Sequence, residues 1–283
     1  MTARTPLVDV HWLAQRLAGG AVCVLDASWH AASARRGARA EFEAGHIPSA
    51  RFFDLAQVAD PHSDLAHTLP TPAHFAACTA QAGARRDGTI VVYDNAGIAP
   101  SARAWWTLTT FGYADVQVLD GGLRAWQDAG GALEQGMPPP LEQRPEELPQ
   151  PDARRVADHQ GVQRAIAAGE VVLDARSAAR FRGEAAEPVA GIASGHIEGS
   201  TNLPYQQLLD EAKGCFAATS VLREKFNRAG VDWRAPVVCS CGSGVTACVL
   251  ALGLEILGHR AVAVYDGSWT DWARRTSYLG GLS

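Results

Sequence analysis

Residues 237–249 read VVCSCGSGVTACV, and this stretch decides the fold. Val237 and Val238 belong to an apolar run with the make-up of a buried strand, and residues 245–249 begin a helix. Between them lies Cys241-Gly242-Ser243-Gly244, too small to pack and too flexible for a core. A strand that turns through a glycine loop into a helix is the building unit of α/β proteins, whose ligands gather beyond the carboxyl ends of the strands. Cys241 stands at such an end.

The loop can turn several backbone N–H groups inward, and with the helix N-terminus they stabilise a negative charge. A thiolate is such a charge, so this setting is expected to lower the Cys241 pKa and make it a nucleophile. The same cradle suits a persulfide anion or an oxyanion. The bland alternative is a small buried cysteine, but the loop offers it no packing partner. Cys239 lies in the strand and Cys248 in the helix, so both read as buried hydrophobes. A Cys239–Cys241 redox pair is the weaker reading.

Working outward, the chain repeats itself. VCVLDASW (22–29) returns as VVLDARSA (171–178), and EFEAGHIPSARFFDL (41–55) as GIASGHIEGSTNLPY (191–205). TIVVYDNAG (89–97) returns as APVVCSCGS (235–243), and VQVLDGGLRAW (116–126) as VAVYDGSWTDW (262–272). Asp26 to Asp94 spans 68 positions and Asp174 to Cys241 spans 67. A repeat this long means duplicated domains rather than a solenoid. Apolar runs at 22–25, 90–93 and 116–119, and at 171–173, 236–239 and 261–265, are the candidate strands. Their continuity suits strands buried on both faces of a parallel sheet. Helical stretches alternate with them, and Gly112 and Gly258 are placed to end the helices after the two loops.

The expected organisation is therefore two tandem α/β domains, 1–136 and 157–283, each a parallel sheet flanked by helices. The stretch from about 134 to 155 is rich in Pro and Glu and has no hydrophobic period, so 137–156 reads as a semi-extended linker. In the first half Asp94 occupies the place of Cys241, so that loop should be catalytically silent. His46 and His196 recur in both GHI motifs although only one half has the cysteine, which argues for a structural role. Asp120 and Asp266 also recur, and turn or cap roles suffice for them.

Composition narrows the function. The net charge is -5 and no basic stripe is present, so nucleic acid is not an expected partner. No apolar stretch is long enough to span a membrane, and the N-terminus has no secretory signature. Six scattered cysteines with no paired spacing read as free thiols in a reducing compartment, which points to the cytoplasm and away from structural zinc.

CGSGVTA (241–247), YDGSWTDW (265–272), DASWH (26–30), AGHIPSARFFDL (44–55) and LDGGLRAW (119–126) together resemble the 3-mercaptopyruvate sulfurtransferases, two-domain members of the rhodanese superfamily. The resemblance covers essentially the whole chain. It implies two rhodanese domains with one active loop, and sulfur transfer through a Cys241 persulfide with pyruvate as product. A thiol, cyanide or a thioredoxin-like protein would accept the sulfur, and no metal or other cofactor would be needed. The loop N–H groups of Gly242, Ser243, Gly244, Val245 and Thr246 would hold the sulfur anion. Ser243 and His67 match the family's proton-handling residues, and Arg180 matches its first substrate arginine. The bland readings are a loop hydroxyl, a solvated histidine and a surface arginine.

Two departures stand out. The acid that orients the histidine is replaced by Ala56, with Asp54 and Asp60 near but offset. The second substrate arginine is replaced by Val189. Thiosulfate as sulfur donor is therefore the alternative, although the uncharged loop speaks against it. A non-catalytic persulfide carrier or binding module is the further alternative. A cysteine phosphatase would need an arginine where Ala247 stands.

Overall fold

The computed structural model describes residues 5–141, 148–210 and 212–280, and the chain forms two compact units. The first draws on the chain up to Pro61, Leu69–Asp152 and Asp210–Phe216. The second draws on His62–Thr68, Ala153–Leu209 and the chain from Ala217 onward.

In the first unit the strands are β1 (Leu7–Val8), β2 (Cys23–Asp26), β3 (Arg51–Phe52), β4 (Ile90–Tyr93) and β5 (Val116–Leu119). They form one sheet in the order β1-β5-β4-β2-β3, and the pairings are parallel. Helices α1 (Val10–Ala18), α2 (Ala38–Ala44), α3 (Leu55–Val58), α4 (Pro72–Gln81), α5 (Ala99–Thr110) and α6 (Gly122–Asp128) flank it. All four residues of β4 and of β5 are buried, as suits strands of a parallel sheet covered on both faces.

The second unit repeats the plan with β6 (Val156–Ala157), β7 (Val171–Asp174), β8 (Thr201–Asn202), β11 (Val237–Ser240) and β12 (Val262–Tyr265). Their order, β6-β12-β11-β7-β8, is that of the first sheet, again parallel. Its helices are α7 (His159–Ala167), α8 (Ala178–Phe181), α9 (Thr219–Arg228), α10 (Ala247–Ile256) and α11 (Ser268–Gly280). A two-stranded ribbon pairs β9 (Leu209–Asp210) with β10 (Cys215–Phe216). The α/β class expected from the sequence is the class observed.

α10 is apolar nearly all round, α5 is not, yet nearly every residue in each is buried, so these are the central helices of their units. Each ends two residues before a glycine in the left-handed region, Gly112 (φ 84°) and Gly258 (φ 83°), as the sequence anticipated. The register of both sheets confirms the duplication residue by residue. Asp26 pairs with Tyr93 and Asp174 with Ser240, so Asp94 and Cys241 are the next residues at matching strand ends.

The two GHI histidines make one contact twice. His46 Nδ1 lies 2.9 Å from Phe42 O with the rings stacked, and His196 Nδ1 lies 2.9 Å from Phe181 O with its rings stacked. The start of the segment read as linker is docked. Glu134 and His46 exchange backbone hydrogen bonds, Gly136 N–H donates to Glu43 O, and Arg51 donates to Pro139 O. Its end contains a 3-10 turn (Ala153–Arg155) and β6, whereas 142–147 lie outside the described residues.

Candidate active site

The order of the second sheet reverses between β7 and β11: the chain leaves β7 toward β8 on one side and β11 toward β12 on the other. Loops diverging from neighbouring strand ends open a crevice there. Cys241 follows β11 into it, and Asp174, Arg176 and Arg180 enter from β7.

The Cys241 thiol is buried, 2% exposed. Its backbone is clamped from the end of β12. Cys241 N–H donates to Ser268 Oγ (3.1 Å), and Trp269 N–H donates to Cys241 O (3.0 Å). Gly242 O accepts from Thr270 N–H (3.1 Å) and Thr270 Oγ1 (2.7 Å). Ser268 Oγ has one proton and two acceptors in reach, Tyr265 O at 2.7 Å and Cys241 Sγ at 3.8 Å. Ser268 holds φ 50°, a left-handed conformation costly for a residue with a side chain. Its counterpart in the first unit is Gly122 (φ 57°), so a strained serine stands where glycine would be easier.

The corresponding loop of the first unit carries an anion at the matching position. Asp94 is 2% exposed, and its Oδ1 accepts from the N–H groups of Ala96 (2.8 Å) and Ile98 (3.1 Å) while Oδ2 accepts from Ser101 (2.9 Å). Here a carboxylate fills the cradle of backbone donors. At the same offsets in the second unit stand Ser243, Val245 and Cys248. Gly242, Ser243 and Thr246 are half-buried, and Gly244 and Val245 are buried. Cys248 Sγ donates to Gly244 O at 3.2 Å, fixing the loop at its left-handed glycine (φ 79°). Cys239 is fully buried, and desolvation pushes its thiol well above the ordinary range, as suits a packing residue.

Arg180 leaves α8 and packs on this loop. A Cβ at position 242 would stand 2.6 Å from Arg180 Nη2, so a glycine there makes room for the guanidinium. Glu187 holds Arg180 through Nε (3.2 Å) and Nη2 (2.5 Å). Its arginine neighbours point elsewhere. Arg176 is buried, paired with Asp174 at 2.6 Å and stacked 5.0 Å from the Trp269 ring, whereas Arg182 pairs on the surface with Glu184. Val189 is 38% exposed.

His67 belongs to the second unit with the segment His62–Thr68, which Arg274 Nη1 anchors by donating to Asp64 O (3.1 Å). Asp54 is the N-cap of α3, accepting from Ala56 N–H, and this occupies it structurally. Asp120 accepts from Phe216 N–H at 2.9 Å, a contact across 96 positions rather than the local turn or cap expected of it.

A duplicated α/β unit with a cysteine-bearing cradle in its second copy defines the class. The rhodanese-like domain profile matches residues 9–129 and 158–275, and the chain belongs to the rhodanese-like family. Its reaction class is sulfur transfer, as in its relatives. The 3-mercaptopyruvate sulfurtransferase of Homo sapiens is 38% identical across 95% of this chain and 92% of its own length. The thiosulfate sulfurtransferase of Cricetulus griseus is 37% identical across 94% and 91%. The crystal structure of SseA from Escherichia coli, a 3-mercaptopyruvate sulfotransferase, superposes with a TM-score of 0.84 at 35% identity, covering 94% of this chain and 99% of that one. Among the described residues no helix is long and apolar enough to cross a membrane.

Proposed function

We propose that the protein moves sulfane sulfur from 3-mercaptopyruvate to a thiol, cyanide or thioredoxin-like acceptor through a persulfide on Cys241. The observation that carries this reading is the loop after β11, whose duplicate already holds an anion on backbone N–H groups. The Cys241 thiolate attacks the sulfur of mercaptopyruvate. The S–S bond forms, the C–S bond breaks, and its electron pair leaves on the enolate of pyruvate. Ser243 and His67 deliver the proton that converts this enolate to pyruvate. The persulfide rests on the N–H groups of residues 242–246 until an acceptor thiolate takes the outer sulfur, a ping-pong scheme. Arg180 receives the carboxylate of mercaptopyruvate, because it is the half-buried guanidinium that lies against Gly242. Six free thiols suit a reducing compartment, the cytoplasm.

Thiosulfate is the second reading, and Val189 is the observation that favours it, since no arginine stands at that place to complete a carboxylate clamp. Steady-state rates with the two sulfur donors, cyanide as acceptor, separate them. Mercaptopyruvate should be preferred, and Val189→Arg should raise that preference. A preference for thiosulfate would overturn the first reading.

A further inference from the structure

The mouth of the Cys241 loop carries a chain of four alternating charges, Asp174, Arg176, Glu187 and Arg180. Glu187 Oε1 accepts from Arg176 Nη1 (2.9 Å) and Arg180 Nε (3.2 Å), and Oε2 accepts from Arg180 Nη2 (2.5 Å). The Glu187 side chain is 2% exposed. Arg176 turns its other edge to Asp174, with bonds from Nε and Nη2, and also donates to Gly195 O. Two carboxylates thus face two guanidiniums, and the cluster has no net charge.

Two consequences follow from this geometry. Glu187 takes the side-on edge of Arg180, so the donors left for a ligand are on the end-on edge, Nη1 and the second Nη2 hydrogen. The positive charge of Arg180 is also already matched. A neutral cluster gives an incoming anion hydrogen bonds and a local dipole but no net Coulomb attraction. The desolvation cost, in contrast, rises with the square of the anion's charge.

We propose that Glu187 is a positioning residue that sets which sulfur donor the site prefers. It aims Arg180 end-on beside Gly242, and it cancels the net charge so that a donor carrying one carboxylate is favoured over a doubly charged sulfur oxyanion. This rests on the reading that Arg180 receives the anionic group of the sulfur donor.

The test is steady-state kinetics with mercaptopyruvate and thiosulfate on the full-length enzyme and three variants. Glu187→Gln keeps the size and leaves the cluster with one positive charge. The dianion gains twice the attraction of the monoanion, so the ratio of kcat/KM for thiosulfate to that for mercaptopyruvate should rise roughly tenfold. Glu187→Asp keeps the charge but shortens the reach. It should raise KM for both sulfur donors while leaving their ratio within about twofold of wild type. A merely structural role would move both donors together in both variants. An unchanged ratio in Glu187→Gln, or an equal change in Glu187→Asp, would overturn the proposal.

Arg180→Ala separates this proposal from its premise: if KM for both sulfur donors is unaffected, it is the Arg180 reading that fails. Should Glu187→Gln not fold, a salt series on the wild type decides. With the cluster neutral and the Cys241 thiolate beside it, the site carries no net positive charge, so kcat/KM should not fall with ionic strength for either sulfur donor. A fall that is steeper for thiosulfate would reveal a net positive site and overturn the proposal.

Discussion

Gly242→Ala probes the contact on which substrate positioning depends. The added Cβ would stand 2.6 Å from Arg180 Nη2, where ordinary contact begins at 3.4 Å, so the guanidinium must retreat by about 0.8 Å. The same nitrogen makes the 2.5 Å bond to Glu187 Oε2, and that retreat stretches it beyond charge-assisted length. Hydrogen bonds to charged groups contribute about 1.5–3 kcal/mol. The Arg180 side chain is 25% exposed, so solvent screening reduces this to about 1 kcal/mol or slightly more. If the substrate carboxylate uses this guanidinium, kcat/KM for mercaptopyruvate should fall about fivefold. Stability should fall by no more than the lost bond, about 1 kcal/mol, because Gly242 is not among the left-handed glycines and alanine fits its backbone. Initial rates and a thermal melt on the same preparation read both quantities. A kcat/KM within about twofold of wild type would mean the guanidinium is not used where it lies, and the reasoning would fail.

Ser268→Gly relieves about 1 kcal/mol of left-handed strain but removes the hydroxyl that accepts from Cys241 N–H, a loss of about the same size. The Tm should therefore stay near wild type while kcat/KM drops, and equal activity would show that the hydroxyl does nothing for the thiol. Cys239→Ser and Cys248→Ser should keep persulfide formation, the second because a serine hydroxyl can still donate to Gly244 O. Loss of the persulfide in Cys239→Ser would instead reveal a redox partner. In the first unit, Glu41 is held down to about 2, chiefly by hydrogen bonds from Arg36 and also by His30 and Asn95. A depressed carboxyl stabilises fully above its unfolded pKa of about 4.3, and the contribution is lost as pH falls through the folded value. Acid unfolding of Glu41→Gln, followed by circular dichroism, should therefore depend less on pH between about 4.5 and 2; an identical profile would remove Glu41 from the account.

The core strands were legible because burial on both faces writes itself as short runs dominated by Val, Ile and Leu, interrupted in β5 only by Gln117. The run at 90–93 matches β4, and the run at 116–119 matches β5. The edge strands were not legible. β1, β3, β6 and β8 are two residues each, too short to carry a period. Docking of Glu134 and Gly136 was hidden as well, because it runs through backbone hydrogen bonds that composition does not record. The place of Cys241 directly after a buried strand was readable from its glycine loop. Ser268 was missed although it sits in a recognised repeat, because its contact with Cys241 is long-range and arises from a left-handed turn usually given to glycine. Pairing of Glu187 with both Arg176 and Arg180 was equally invisible, since a sequence does not show which of several nearby arginines turns inward. One signal was available: the second of two Glu residues in a sparse loop, seven residues after Arg180.

The most direct test of a Cys241 persulfide is intact mass spectrometry of the enzyme after exposure to mercaptopyruvate without an acceptor. The wild type should gain the mass of one sulfur atom, lose it on addition of cyanide, and release pyruvate in equal amount. Cys241→Ser should gain nothing while remaining folded, because a hydroxyl is almost wholly protonated near neutral pH and cannot carry sulfane sulfur. A sulfur adduct of the same stoichiometry in Cys241→Ser, or pyruvate release without any adduct in the wild type, would contradict the account.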